Sequence, residues 1–312
     1  MRRAERGIKV LIAAAIIRMT RTMVQTTRFS PSRGWDDVRL LLVRNSQILI
    51  ALAGAFFLLP LLILSFFAPP FVPFAGDPAT ADPALVWAQM RDTIVPLIPW
   101  FLLLFFVQTI GQLAIMAAVT IRENPTAGEA IAIGFQRLGY YLLITLALSM
   151  LILLAMVPLL LIIGAVGAAL GSASPAVAGL LGIILFGVVI AVLVYILMRF
   201  ALIGVVLVAE DARGPLPVLR RSWQLTHNNA ALIFAFYLIV AVVIVVISLA
   251  VSLIFGLLFS LAGLAMTPGG AGAAILALLT GTISAGGTTI FALMQAAIYR
   301  QLAGGRADEV FR

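Results

Sequence analysis

The chain has 312 residues, of which 63% are hydrophobic and 10% charged, with no cysteine and a net charge of +8. A soluble domain of this length carries about 25% charged residues, so this composition excludes an ordinary soluble globule. The missing thiols exclude disulfides, thiolate nucleophiles, Fe–S clusters and thiolate zinc sites.

The positive charge needs no nucleic acid to explain it. Basic and aromatic residues do not interleave as a nucleic-acid groove requires, and arginines commonly flank membrane spans. Lysine occurs once, at Lys9, and this arginine bias points to a bacterial source. Runs of about 18 or more apolar residues read as transmembrane helices, because lipid admits only helices or closed barrels and these runs do not alternate.

Residues 1–34 form a basic arm with Arg2, Arg3, Arg6, Lys9, Arg18, Arg21, Arg28 and Arg33. Its apolar piece, 10–17, is too short to span. No small-residue cleavage site with a polar mature region follows it, so a signal peptide is not expected. Met19 and Met23 are alternative starts.

A first amphipathic helix is expected over about 35–45. Trp35, Val38, Leu41 and Leu42 lie on one face, and Asp36, Asp37, Arg39 and Arg44 on the other. Span one covers about 46–67, with a kink at Pro60. The connection after it carries Pro69, Pro70, Pro73, Pro78 and Pro83. Span two covers about 94–121.

The second unit opens on Thr126 and Glu129, the spacing of a capping box. Ile131, Phe135 and Leu138 then recur at helical spacing, and Gly139 is expected to end the short helix of about 126–138. Span three covers about 140–165, and span four about 178–209.

The third unit is the most distinctive: positions 199–232 read RFALIGVVLVAEDARGPLPVLRRSWQLTHNNAAL. A Gly214-Pro215 turn precedes a short helix at about 216–227, whose expected apolar face is Leu216, Leu219 and Trp223. Arg220, Arg221 and Gln224 fan out opposite. Span five covers about 230–261 and span six about 273–299, with a charged tail at 305–312.

The chain thus reads as all-α and polytopic. Six transmembrane helices form three repeated units, each opened by an amphipathic helix, in a membrane domain over 35–304. Eighteen of the twenty basic residues fall on the side of the termini and amphipathic helices. Arg91 alone lies on the other side, and Arg199 lies within a span. The positive-inside rule then places both termini and all three amphipathic helices in the cytoplasm, in a bacterial inner membrane.

Spans two, four and six share the strings GQLAIMAAV, MRFALIGVV and MQAAIYRQL, so Gln112, Arg199 and Gln295 take equivalent places. Each is followed two residues on by Ala114, Ala201 or Ala297. Two readings of Arg199 stand side by side. It snorkels to headgroups, or it shares an interior polar layer with Gln112 and Gln295 and holds a carboxylate or a lipid phosphate through its planar fork. Arg220, Arg221, Arg44 and Arg137 are candidate headgroup contacts.

Catalytic chemistry finds few residues. His227 is the lone histidine, and no histidine follows Ser284 to form a dyad. Gly167 and Gly171 form a G-x-x-x-G, which suits close helix approach. No Asp or Glu lies inside an expected span, so a proton relay is not expected. No metal, cofactor or catalytic residue is assigned.

A span ending in the acidic pair Glu210-Asp211, then LPVLRRSWQLTHNNAALIFAFYLI, then AAIYRQLAG, resembles the glycerophosphoryl diester phosphodiesterase membrane domain family. The resemblance covers about 35–304 and is strongest over 199–232. It implies a free-standing membrane domain with cytoplasmic amphipathic helices, and a chain starting shortly before the first of them. It implies no catalysis, because the phosphodiesterase barrel's His-Arg-Gly motif, metal-binding carboxylates and second histidine are missing. The expected role is a non-catalytic inner-membrane module of the envelope that binds lipids or an unidentified protein partner. The alternatives are a transporter component and, less favoured, a membrane-embedded enzyme.

Overall fold

A computed structural model of the chain describes residues 28–67, 82–121, 125–171, 174–210, 214–264 and 270–304. Most of the basic arm, the prolines from Pro69 to Pro78 and the tail from 305 lie outside the described residues. The elements, in chain order, are α1 (Pro31–Arg44), α2 (Ser46–Ala53), a π-helical turn (Gly54–Leu58), α3 (Leu59–Phe67), α4 (Pro83–Ile94), a 3-10 turn (Val95–Leu97), α5 (Ile98–Thr120), α6 (Ala127–Gly171), α7 (Pro175–Arg199), α8 (Ile203–Ala209), α9 (Pro215–Leu225), α10 (Ala230–Leu261) and α11 (Ala271–Ala303). No strand occurs among the described residues.

Six helical stretches are long and apolar enough to cross a membrane: Ser46–Phe67, Ala84–Thr120, Ala127–Ala169, Ala176–Ala209, Ala230–Leu261 and Ala271–Ala303. The chain is therefore an all-α, six-span membrane protein. Span two starts well before the expected 94. Asp82 accepts a bond from the Ala84 amide at 2.9 Å and starts α4. Pro96 and Pro99, which have no N–H to donate, tighten the chain into a 3-10 turn instead of ending the helix. In span one the Leu59 amide reaches back five residues to the Gly54 carbonyl, just ahead of Pro60. The irregularity expected at Pro60 is thus a widened π turn.

The second unit differs from its expected form. Thr126 and Glu129 do form the capping box: the Thr126 amide donates to Glu129 Oε2 at 2.8 Å, and the Glu129 amide donates to Thr126 Oγ1 at 3.4 Å. The helix they start, however, runs unbroken through Gly139 to Gly171. A glycine costs a helix only about 1 kcal/mol, and the apolar run after it must hydrogen-bond its own backbone in lipid. Nothing lies near Gly139 to take the chain elsewhere. Of the three expected amphipathic helices, only those at about 35–45 and 216–227 are therefore separate short helices, α1 and α9.

The core sits at one end of the bundle, where α1 and α9 pack; we call this the near end. Its buried residues are Leu49, Leu52 and Phe57 of span one, Leu113–Ala118 of span two, Leu202–Val208 around α8, and Ala292–Leu293–Met294 with Ala296–Ile298 of span six. Val38, Leu41, Val218 and Leu225 from α1 and α9 close it. Farther along, spans three, four and five leave large residues such as Leu154, Leu161, Ile183 and Leu253 exposed.

Lipid removes the hydrophobic drive between spans, so small residues and close backbone contact hold the bundle together. Ala114, Ala117, Ala292, Ala296 and Ala297 are fully buried where spans two and six meet the core. A close backbone-to-backbone approach is at Gly134 of α6. A Cβ there would lie 2.8 Å from the Ile110 carbonyl oxygen and 3.1 Å from the Ala114 amide nitrogen. Both are backbone atoms of α5 that cannot rotate away.

Gly134→Ala is accordingly expected to force α5 and α6 apart and to cost about 1–3 kcal/mol. Gly139→Ala, with no atom within 4 Å of the added carbon, should instead stabilise the helix, by up to about 1 kcal/mol. Thermal unfolding of the detergent-solubilised variants separates the two. Equal stability would show that the α5–α6 contact tolerates a methyl group.

Candidate functional site

The polar side chains of the near end converge on a break in span four. α7 ends at Arg199, and α8 begins at Ile203. Across the break the Ile203 amide bonds to the Phe200 carbonyl at 3.3 Å, in place of the Arg199 carbonyl that a continuous helix would use. The freed Arg199 carbonyl is taken up by two hydroxyls of the chain leading out of α9. Ser222 Oγ donates to it at 3.0 Å; Thr226 Oγ1 lies 3.0 Å from it and 2.9 Å from the Ser222 carbonyl, so its one hydrogen is shared between the two, and both residues are fully buried.

This arrangement corrects the expected face of α9. The buried residues are Val218, Ser222 and Leu225, with Thr226 just beyond the helix, while Leu216 is 78% and Trp223 39% exposed. The helix turns its hydroxyls toward the protein, because the released carbonyl needs them. Leu216 and Trp223 face outward, where lipid can cover them, while Leu219 of the expected face is half-buried against the core. α1 behaves alike, burying Gly34, Val38 and Leu41 and exposing Trp35 and Leu42.

Arg199 itself is 4% exposed. Its guanidinium carbon lies 4.1 Å from the centroid of the Trp223 ring and 5.5 Å from that of Tyr195. Nη1 donates to the Trp223 carbonyl at 3.4 Å, and buried Nε has no acceptor. Among the described residues no carboxylate pairs with it. Gln112 and Gln295 are half-buried on spans two and six, and no hydrogen bond joins any two of Gln112, Arg199 and Gln295. The contacts of Arg199 are with Trp223 of α9 and Tyr195 of α7.

Of the candidate headgroup contacts, Arg220 and Arg44 are exposed and Arg137 is half-buried. Arg221 is half-buried, and its Nε donates to Glu210 Oε1 at 2.8 Å. The Tyr299 hydroxyl donates to the same oxygen at 3.1 Å. Glu210 thereby ties the end of α8 to α9 and to the end of α11.

A second set of contacts anchors α1 and the two residues before it. Phe29 is buried beside Phe236, and its amide donates to Asn229 Oδ1 at 2.9 Å. Gln301 Oε1 accepts from the Ser30 amide at 3.2 Å, and its Nε2 donates to Asp37 Oδ2 at 3.1 Å. Asn228 has a φ of 63°, a left-handed conformation that asparagine tolerates. It turns the chain from α9 into α10.

His227 and Ser284 are both exposed. No group of three His, Cys, Asp or Glu side chains able to hold a metal ion occurs among the described residues. Ser222, Thr226 and Asn229 went unnoticed in the sequence, since small polar residues near a helix end are ordinary. The signal that could have found them was the i, i+4, i+7 spacing of Val218, Ser222 and Leu225.

Replacing both hydroxyls, Ser222→Ala with Thr226→Val, should leave the Arg199 carbonyl buried without a donor and cost about 1–3 kcal/mol. Each single change should cost less than half of that, because the other hydroxyl remains. Thermal unfolding against exposed Gln224→Ala as a control checks this. Additive single effects would show that the two donors do not share one acceptor.

No family model matches this chain, and neither does any curated protein or solved structure.

Proposed function

We propose that the chain is a non-catalytic, lipid-binding module of a bacterial inner membrane, with both termini and the near end in the cytoplasm. The observation that carries the reading is the near end itself. There a buried arginine without a carboxylate, at the break in span four, meets exposed Arg220 and Arg44 and outward-facing Trp35 and Trp223 on helices that pack the core without spanning. Aromatic side chains and arginines in that setting suit an interface with anionic headgroups. The resemblance to the glycerophosphoryl diester phosphodiesterase membrane domain family supports the same reading. The expected inner-membrane orientation rests on the distribution of arginines.

A transporter-like role is the second reading. It is favoured by the interruptions in span one at Gly54–Leu58 and in span four at Phe200–Leu202, since transporters place sites at broken helices. Against it, Glu129 is the one acidic residue in span three, and it caps the helix start instead of lying midway.

Reporter fusions at Thr80 and Gly214 test the orientation: Gly214 should report cytoplasmic and Thr80 periplasmic, and the reverse would invert the assignment. Thermal unfolding in detergent tests the binding. Anionic phosphatidylglycerol should raise Tm more than zwitterionic phosphatidylcholine does, because a ligand bound only by the folded state stabilises it. Equal effects of the two lipids would remove the lipid-binding reading.

A further inference from the structure

Arg199 is the least explained charge in the described structure. A guanidinium presents five N–H donors in a fork that fits paired oxygens. Here one donor makes a single 3.4 Å bond, and buried Nε makes none. The indole of Trp223 covers the group at 4.1 Å, which adds cation–π attraction but fills no N–H. A cation this far removed from water is costly unless an anion completes it. Glu210, the nearest acidic residue in sequence, is engaged by Arg221 and Tyr299.

The surroundings say what kind of anion fits. On α7, Ile184, Val188, Val192 and Tyr195 precede Arg199 at helical spacing, and all four are exposed. They form one apolar lane running from the guanidinium on the order of 20 Å along the span, which exceeds the roughly 15 Å hydrocarbon depth of one leaflet. On α9, exposed Arg220 precedes Trp223 by three residues and lies beside it on the helix surface. A second positive charge therefore sits at the headgroup level, above the lane.

We infer that Arg199, Trp223 and Arg220 form a binding site for the phosphate of an anionic phospholipid, whose acyl chain lies along Ile184, Val188, Val192 and Tyr195. The inference rests on the lipid-binding reading and gives it one specific place. The phosphate oxygens take N–H groups of the Arg199 fork, Arg220 adds charge from α9, and the exposed edge of Trp223 packs at the glycerol level. The lane is what commits the site to a lipid, since free phosphate would have no use for it.

Native mass spectrometry of the full-length protein in detergent, titrated with phosphatidylglycerol and with phosphatidylcholine, tests it. The wild type should bind phosphatidylglycerol more tightly. Arg199→Gln should weaken that binding by about tenfold, the size of a lost charge-assisted pair of bonds. Arg199→Lys keeps the charge and loses the fork, so it should weaken binding severalfold even if the glutamine variant fails to fold. Arg39→Gln, an exposed change on α1, should alter it less than twofold.

Excess inorganic phosphate should not displace the lipid; displacement would assign the site to free phosphate and overturn the lipid assignment. A wild type without preference for phosphatidylglycerol overturns the site and the lipid-binding reading together. A preference that survives both Arg199 changes, or that Arg39→Gln lowers equally, overturns the site alone.

Discussion

Span four can break at Phe200 only because something receives the carbonyl that the break releases. Within a membrane protein an unpaired buried carbonyl costs about 1–3 kcal/mol, and water is not at hand to pair with it. Ser222 and Thr226 supply the donors, and most of the near end follows from that. α9 must lie across the break, so its hydroxyl face points inward and its indole comes to rest on the Arg199 guanidinium. α10 must then start beside it, with Asn228 making the turn and Asn229 accepting from the Phe29 amide.

The same end of the molecule concentrates the close packing. Alanines of spans two and six, and Gly134 of α6, let backbones approach where larger side chains could not. A Cβ on Gly111 would run into the Cβ of Phe56, in the π turn of span one. The widened turn that Pro60 imposes therefore sits directly against the point where span two comes closest. Toward the far end, spans three, four and five lose these small-residue contacts and present leucines, isoleucines and valines outward. One end is a packed protein core, and the other is a set of helices whose surfaces are left to lipid.

The six spans were legible because run length alone decides them: about 18 or more apolar residues have no other stable state in lipid. Their ends were less legible. Gly139 looked like a stop, but a glycine stops a helix only when the chain has a turn to make, and here the span continues. Asp82 and the proline turn at 95–97 carried span two back beyond the point where apolarity begins.

The face of α9 differs from the expected one because apolar spacing alone decided that expectation. In lipid, large apolar residues are free to face away from the protein, and the buried face is chosen by hydrogen bonding. The equivalence of Gln112, Arg199 and Gln295 rested on string alignment. It could not show that only the span carrying Arg199 breaks at that point, which turns its arginine toward α9.

Arg220 and Arg221 are neighbours in sequence and look interchangeable, yet a helix rotates successive residues by about 100°. That rotation separates their roles. Ser222 meets the carbonyl immediately before the break, and Arg221 meets the Glu210 carboxylate immediately after α8. α8 has seven residues and is therefore about 10 Å long, a gap that the extended arginine side chain helps to bridge. α9 thus straps α8 at both ends with two consecutive residues. Arg221 is consumed in doing so, and its charge is cancelled by Glu210. Arg220, one position earlier, is turned outward, and Arg199 is left beneath Trp223. Among the described residues the uncancelled positive charge around the strap therefore lies on these two arginines, one on the outer side of α9 and one beneath its indole.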